Sequence, residues 1–347
     1  MLPNNNTNNT HRHTTRKMGI VAVIFVCLFT FLPSSARGKY DNTDTLVVAR
    51  DGSGDFRTVG EAVEVCRAFM EYRKVIFIKK GVYKEKVVIP SWLTNIELLG
   101  EDQNATIITY DDHANIPMEK ERGTSVEGKM GTFRTYTIKI EGTNITLCNL
   151  TIENNAPRMG QAVALHTEGD KIKVIGCRLL GNQDTVYTGV ANTRVYFCDC
   201  YIEGTTDFIF GPSTAWFENC RIHSKADSYI TAASTPKDVK YGYIFSHCQL
   251  TADKDVTKVY LGRPWRAYAY TLFKQCTLGS HITEAGWGNW KDYHDPAQEG
   301  TVRYFEYKNK GKGAKTKQRV EWSRQLNKKE IEDITLEKVF NDNVALW

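Results

Sequence analysis

Six segments of the chain repeat one pattern, an apolar run followed by a cysteine, one variable residue and another apolar residue. They are Cys148-Asn149-Leu150, Cys177-Arg178-Leu179, Cys200-Tyr201-Ile202, Cys220-Arg221-Ile222, Cys248-Gln249-Leu250 and Cys276-Thr277-Leu278, and the cysteines recur every 20 to 29 residues. A period of that size marks stacked repeats, each too small to bury its own apolar face. The runs between them are short and β-rich, as in Val75-Ile76-Phe77-Ile78, Val87-Val88-Ile89 and Ile96-Glu97-Leu98-Leu99, and Gly, Pro, Asn or Asp separate them. Strand-rich units without intervening helices favour an all-β fold, a parallel β-helix, over a leucine-rich horseshoe. In such a stack, equivalent residues of neighbouring coils lie ~4.8 Å apart. The six cysteines then form an internal ladder of small apolar thiols. A disulfide framework competes with this reading, because that separation is within reach of a disulfide. A chain of 347 residues buries a core without staples, which favours the reduced ladder.

The two ends read differently. Arg12, Arg16 and Lys17 are the only charged residues of the first 36, and an apolar or small run from Met18 to Leu32, broken by Thr30, leads to Ser34-Ser35-Ala36. The run is short of the ~20 residues a membrane span needs, so a cleaved secretory signal is expected at 1–36. The mature chain is then secreted, with no membrane span, and carries 42 basic residues against 40 acidic ones, too balanced to argue for nucleic acid. Residues 37–300 are expected to form the β-helix, and 301–347 a basic loop and capping segment of the same domain. Thr58 and Glu61 fit a capping box, which with Val59, Ala62, Val63, Cys66 and Phe69 predicts a short helix over 59–72. A second short helix is expected over 331–340. Between them, 301–330 holds ten Lys or Arg against three acids, the signature of a solvated loop or of attraction to an acidic polymer.

One spacing stands out. Gln161 precedes Asp184 by 23 residues, Asp184 precedes Asp207 by the same interval, and each Asp follows a ladder cysteine by seven. If a coil is 23 residues long here, the three side chains stack, and the two carboxyls lie within roughly 5 Å of each other. Like charges that close do not both ionise freely, so one carboxyl keeps its proton while the other stays anionic, which suits acid–base and nucleophilic chemistry. Phe208-Ile209-Phe210 would dry the site, and the Gln161 and Gln183 amides would donate to a developing oxyanion. On spacing alone, aspartates that merely cap turns remain the alternative.

Five blocks in order add a resemblance: Gly81-Val82-Tyr83-Lys84-Glu85, Gln161-Ala162-Val163-Ala164-Leu165, Gly181-Asn182-Gln183-Asp184-Thr185-Val186-Tyr187, Gly204-Thr205-Thr206-Asp207-Phe208-Ile209-Phe210-Gly211 and Leu261-Gly262-Arg263-Pro264-Trp265. Over about Val47 to Trp347 they resemble the signature blocks of pectinesterases, also called pectin methylesterases. The resemblance implies a right-handed parallel β-helix and a carboxylic ester hydrolase that removes methyl esters from galacturonic acid units of pectin. It further implies Asp207 as nucleophile, Asp184 as general acid and base, Gln161 and Gln183 as oxyanion donors, Arg263 as the partner of Asp207, and Trp265 as a substrate contact. Tyr187, Phe208 and Trp287 are expected to join Trp265 in the cleft, although packing is an equal reading for Trp287 and Trp290, and Trp322 is expected in the core. No metal or cofactor is expected; the partner is methyl-esterified homogalacturonan, and the chain is expected to be a monomer. Asn182, Val186 and Thr206 depart from the usual family residues without removing a reactive group. The inhibitory pro-region of many plant members is not expected here, which favours the short secreted form of microbes. Two rivals stand beside this reading: a polygalacturonase-like glycoside hydrolase with Asp227 as a third stacked carboxylate, and a non-catalytic polysaccharide-binding β-helix.

Overall fold

In the computed structural model of the chain, the described residues are 40, 44–118, 128–290 and 299–347; the expected signal at 1–36 lies outside them. Nearly every strand is three to seven residues long, and apart from the first two and the last two, consecutive strands belong to different sheets. The chain therefore winds through three sheets of eleven, eight and seven strands, and every named strand pairing is parallel. This is a right-handed parallel β-helix. Alternation drives the winding: Lys74–Ile78 and Arg194–Cys198 bury every second side chain.

Parallel register puts like residues on like. Phe197, Phe217, Phe245 and Phe273 pair strand to strand inside the eleven-stranded sheet. Their rings stack with centroids 4.5, 4.3 and 4.3 Å apart and planes within 8°. The next position in the ladder is Glu306, only 1% exposed, which Arg319 grips at 2.7 Å. A buried ion pair thus terminates the aromatic column.

The cysteine ladder is real but shifted at its start. Arg178 pairs with Thr151 on one side and Tyr201 on the other, so the residues stacked before them are Leu150, Cys177, Cys200, Cys220, Cys248 and Cys276. Cys148 instead lies in register with Ile175 and Cys198. The physical reason is the corner. Asn149, Gly176, Asp199, Asn219, His247 and Gln275 all adopt φ between 52° and 57°, and each donates its N–H to a carbonyl of the next coil. The inward position is the residue after that left-handed bend, which is Leu150 in the earliest coil. The eight cysteines of the described residues are free, and the Sγ atoms of Cys248 and Cys276 donate to the Phe217 and Phe245 carbonyls at 3.3 and 3.4 Å.

Both helices are shorter than expected. Val59–Glu64 has the capping box, but the chain then turns, with Phe69 at φ 54° donating its N–H to the Trp92 carbonyl. At the other end, Lys328–Ile331 and Leu336–Phe340 replace a single helix, because Thr335 caps the second one. Arg303–Tyr307 is a strand of the eleven-stranded sheet, so the segment expected as a loop from 301 starts as part of the stack. Trp322 is half-buried, its ring 5.9 Å from that of Tyr304. Phe245 sits mid-column with a ring on each face, so Phe245→Ala is expected to lower stability by about 3–5 kcal/mol, read from urea unfolding midpoints.

Candidate active site

The seven-stranded sheet carries the site on its outer face. Its strands are Val87–Ile89, Ile138–Ile140, Leu165–Thr167, Val186–Thr188, Ile209–Gly211, Tyr229–Ala233 and Tyr260–Gly262. Register aligns Lys139, His166, Tyr187, Phe210 and Ala232 in one outward row, and because Thr231 pairs with Gly262, Arg263 extends that row.

Asp184 and Asp207 lie two residues before adjacent strands. Val186 pairs with Ile209 and the Asp184 N–H donates to the Thr206 carbonyl, so the two aspartates occupy equivalent positions on neighbouring coils. Both have left-handed backbone, φ 68° and 49°, a conformation that aspartate tolerates better than most residues. The turn at Asp207 sends Phe208 into the core beside Ile209 and leaves Phe210 facing out. Gln161 is not in line with Asp184. Leu165 pairs with Val186, and the Thr185 carbonyl accepts from both the Ala164 and Leu165 N–H groups, an irregularity that absorbs residues. With the Ala162 N–H donating to the Gln183 carbonyl, Gln161 aligns with Gln183, and the two amides form their own pair beside the acids.

Arg263 holds Asp207 with both arms of its fork, Nε to Oδ1 at 3.0 Å and Nη2 to Oδ2 at 2.7 Å. The guanidinium is itself sandwiched, its carbon 3.9 Å from the ring centre of Trp290 and 4.4 Å from that of Tyr229. Such stacking keeps the plane of the fork aligned with the carboxylate. Gly288 makes this closure fit, since a Cβ there would stand 2.3 Å from the Tyr229 ring.

The two carboxyls are 8% and 5% exposed, and burial raises the pKa of both. Their partners separate them. Arg263 opposes the rise at Asp207 through two hydrogen bonds and its charge, whereas at Asp184 burial and the Asp207 charge, offset only by the more distant charge of Arg263, push the pKa well above the usual value. The pair therefore loses its first proton from Asp207, and Asp184 stays neutral.

The cleft over this pair has a volume of about 330 Å³. Gln161, Gln183, Phe210, Trp265 and Trp290 line it with the two acids and Arg263. Phe133, Tyr187, Phe210 and Trp265 continue as an aromatic chain with ring centres 4.9, 4.6 and 5.9 Å apart. Two expected contacts are corrected. Phe208 is fully buried in the core, and Trp287, 1% exposed, packs against Phe273 and Tyr304. Sequence reasoning missed Phe133 and Tyr229, placed Phe210 only in the apolar run expected to dry the site, and left Trp290 open. Gly286-Trp287-Gly288-Asn289-Trp290 held a usable signal, because the glycine that admits Tyr229 separates an inward tryptophan from an outward one. Asp227, the third carboxylate of the glycosidase reading, is exposed and accepts the Thr257 and Lys258 N–H groups at 2.7 and 2.9 Å, the role of a loop cap.

Comparison with known proteins gives a match of residues 45–343 to the family model described as Pectinesterase. The chain belongs to the pectinesterase family. It is 35% identical over 281 residues to Pectinesterase 31 of Arabidopsis thaliana, covering 80% of this chain and 86% of that one. The pectin methylesterase from carrot superposes with a TM-score of 0.77 at 32% identity, covering 87% and 94% of the two chains. A pectin methylesterase solved in complex with a hexasaccharide gives a TM-score of 0.73 at 29% identity, covering 86% and 97%. Pectinesterases are carboxylic ester hydrolases, and this chain is an enzyme of that class. The two named sources are plants, so these pectinesterases lend nothing to the microbial form expected from the sequence. Among the described residues, no helix is long and apolar enough to cross a membrane.

Folding raises the Asp184 pKa well above its ordinary value of 3.8. A raised folded pKa means the native state binds more protons, so this residue makes stability fall as pH rises above that value. Asp184→Asn removes the penalty. Its thermal midpoint is expected to exceed the wild type's by a few degrees at pH 7 and to converge with it near pH 3, as followed by calorimetry across pH.

Proposed function

We propose that the chain hydrolyses methyl esters of galacturonic acid units in pectin, releasing methanol and pectate, with Asp207 as the nucleophile. The observation that carries the proposal is the unequal pair: one carboxylate gripped by a stacked guanidinium, beside one carboxyl that has no cation of its own. Ester hydrolysis through a covalent intermediate needs both states at once.

In the first half-reaction, a carboxylate oxygen of Asp207 attacks the ester carbonyl carbon. The Gln161 and Gln183 amides donate hydrogen bonds to the resulting oxyanion. The bond from carbon to the methoxy oxygen then breaks, the leaving oxygen takes the proton of Asp184, and methanol departs. What remains is an anhydride between Asp207 and the galacturonyl carbon. In the second half, Asp184, now a carboxylate, takes a proton from water as the water oxygen attacks the galacturonyl carbon. Asp207 leaves as a carboxylate, back in the fork of Arg263, and Asp184 is protonated again. Phe133, Tyr187, Phe210, Trp265 and Trp290 give the sugar rings apolar surface along the cleft. The hexasaccharide bound to the structural relative supports an oligosaccharide occupying a cleft of this kind. Secretion as a monomer belongs to the same proposal, because the polymer lies outside the cell.

The test is methanol release from highly esterified pectin. Asp207→Asn is expected to release none, Asp184→Asn to be slower by ~100-fold or more, and Gln183→Ala by ~100-fold. Binding of pectin without methanol would support the non-catalytic reading, and new reducing ends from unesterified polygalacturonate would support the glycosidase. Arg263→Lys keeps the charge but loses the fork, so the Asp207 pKa rises; the acid limb of kcat/KM is expected to move to higher pH.

A further inference from the structure

Lys308, Lys310, Lys312, Lys315 and Lys317 are exposed, and no Asp or Glu lies between residues 307 and 320. A run of this kind ordinarily belongs to a loose, solvated loop. Here the backbone is fastened to the end of the stack. Lys310 donates its N–H to the Cys276 carbonyl and accepts from the Leu278 N–H, both at 2.8 Å. The Gly313 N–H reaches the Leu278 carbonyl at 3.1 Å. Asn309 accepts the Cys276 N–H at 2.9 Å and donates to the Phe273 carbonyl at 3.1 Å. Glycine is required where the segment lies against the last coil, since a Cβ on Gly311 or Gly313 would stand 2.4 or 2.2 Å from a backbone oxygen. Arg319 secures the far side: while paired with buried Glu306 it also donates to the Gly313, Thr283 and Glu284 carbonyls at 2.7, 3.0 and 3.0 Å.

Lys312, Lys315 and Lys317 border two adjoining grooves of about 440 and 500 Å³ that meet at Lys315 and Glu284. Their lining is mixed, with Ser280 beside Ile282 in one and Thr316 and Gln318 beside Ala314 in the other. Several exposed ammonium groups carried on a fastened backbone, hydroxyls and one carboxylate acceptor suit a ligand carrying repeated carboxylates and many hydroxyls. A de-esterified galacturonan has that chemistry, and by the proposed reaction it is what leaves the cleft. We propose that this lysine-edged surface binds the unesterified polyuronate stretch of the polymer, apart from the aromatic cleft. Asp184 and Asp207 precede the fourth and third strands counted from the Tyr260–Gly262 end of the seven-stranded sheet, and Lys310 pairs with Thr277 beyond that end, so the lysines lie a few coils along the stack from the acid pair. A chain held at the lysines after hydrolysis stays at high local concentration near the cleft, which favours a further ester on the same chain.

The identity of the ligand rests on the ester-hydrolysis reading, but binding does not require turnover and is measured separately. Wild type and a Lys308/Lys310/Lys312/Lys315/Lys317→Gln variant are run on immobilised unesterified polygalacturonate, on fully methyl-esterified pectin and on double-stranded DNA. A milder Lys312/Lys315/Lys317→Gln variant guards against misfolding, with thermal midpoints as control. Wild type is expected to bind polygalacturonate at least tenfold more tightly than either variant in low salt. The difference should fade as salt screens the ammonium groups, and both forms should bind esterified pectin alike. On long, partly esterified pectin the variants should show a raised KM with kcat unchanged, while a short esterified oligomer is hydrolysed as by wild type. Equal retention of wild type and variants on polygalacturonate overturns the proposal, and so does wild-type retention on DNA as strong as on polygalacturonate. Absence of methanol with intact, lysine-dependent retention would instead remove the ester-hydrolysis reading and leave the binding surface standing.

Discussion

Parallel register between neighbouring coils governs this molecule, because it obliges each residue to lie against its counterpart one turn away. Inside the stack that constraint is favourable. Phenylalanine meets phenylalanine at stacking distance, and thiols meet thiols, each close to a carbonyl of the neighbouring coil. On the outer face of the seven-stranded sheet, the same rule sets carboxyl against carboxyl. Aspartates stacked in a half-dry cleft oppose the folded state unless something separates their charges.

The separation is achieved by asymmetry. A single guanidinium, clamped between Tyr229 and Trp290, is aimed at only one of the two acids. Its stacking matters as much as its charge. A mobile lysine at the same place would shift between the carboxyls and blur the difference in proton affinity, whereas a planar fork held between two rings does not. The left-handed backbone at both aspartates has a related effect. It turns the chain so that the carboxyl stays at the cleft while the following residue enters the core, anchoring each acid to the fold through its neighbour.

Much of this was legible in the sequence, and the exceptions have two causes. The 20 to 29 residue period pointed to coils, and the 23-residue interval from Asp184 to Asp207 brought the acids together correctly, because both stretches wind without irregularity. The same arithmetic misplaced Gln161, since the Thr185 carbonyl serves two donors in the coil between. It misplaced Cys148 because Asn149, not the cysteine, marks the corner. Counting residues measures position along a coil only while each turn consumes the same number of them. Aromatic direction failed for another reason. Phe208 and Trp287 sit beside reactive or cleft residues in sequence, yet each directly follows a left-handed residue, Asp207 or Gly286, which breaks simple alternation, and both rings turn inward.

The end of the stack shows how an open β-helix manages its exposed edge. A column of phenylalanines cannot simply stop, because the last ring would present its face to water. Here Glu306 occupies the next place in the column and Arg319 neutralises it, a buried pair at 2.7 Å that closes the core with charge rather than with another ring. Burying that pair is costly, and extra hydrogen bonds from Arg319 to three carbonyls offset the cost. Those same bonds hold the lysine segment and the backbone at Thr283 and Glu284, a few residues before the Trp287–Trp290 turn that covers Arg263. The closure of the core and the placement of the charged face are therefore one structural event, and a change at Arg319 would disturb both.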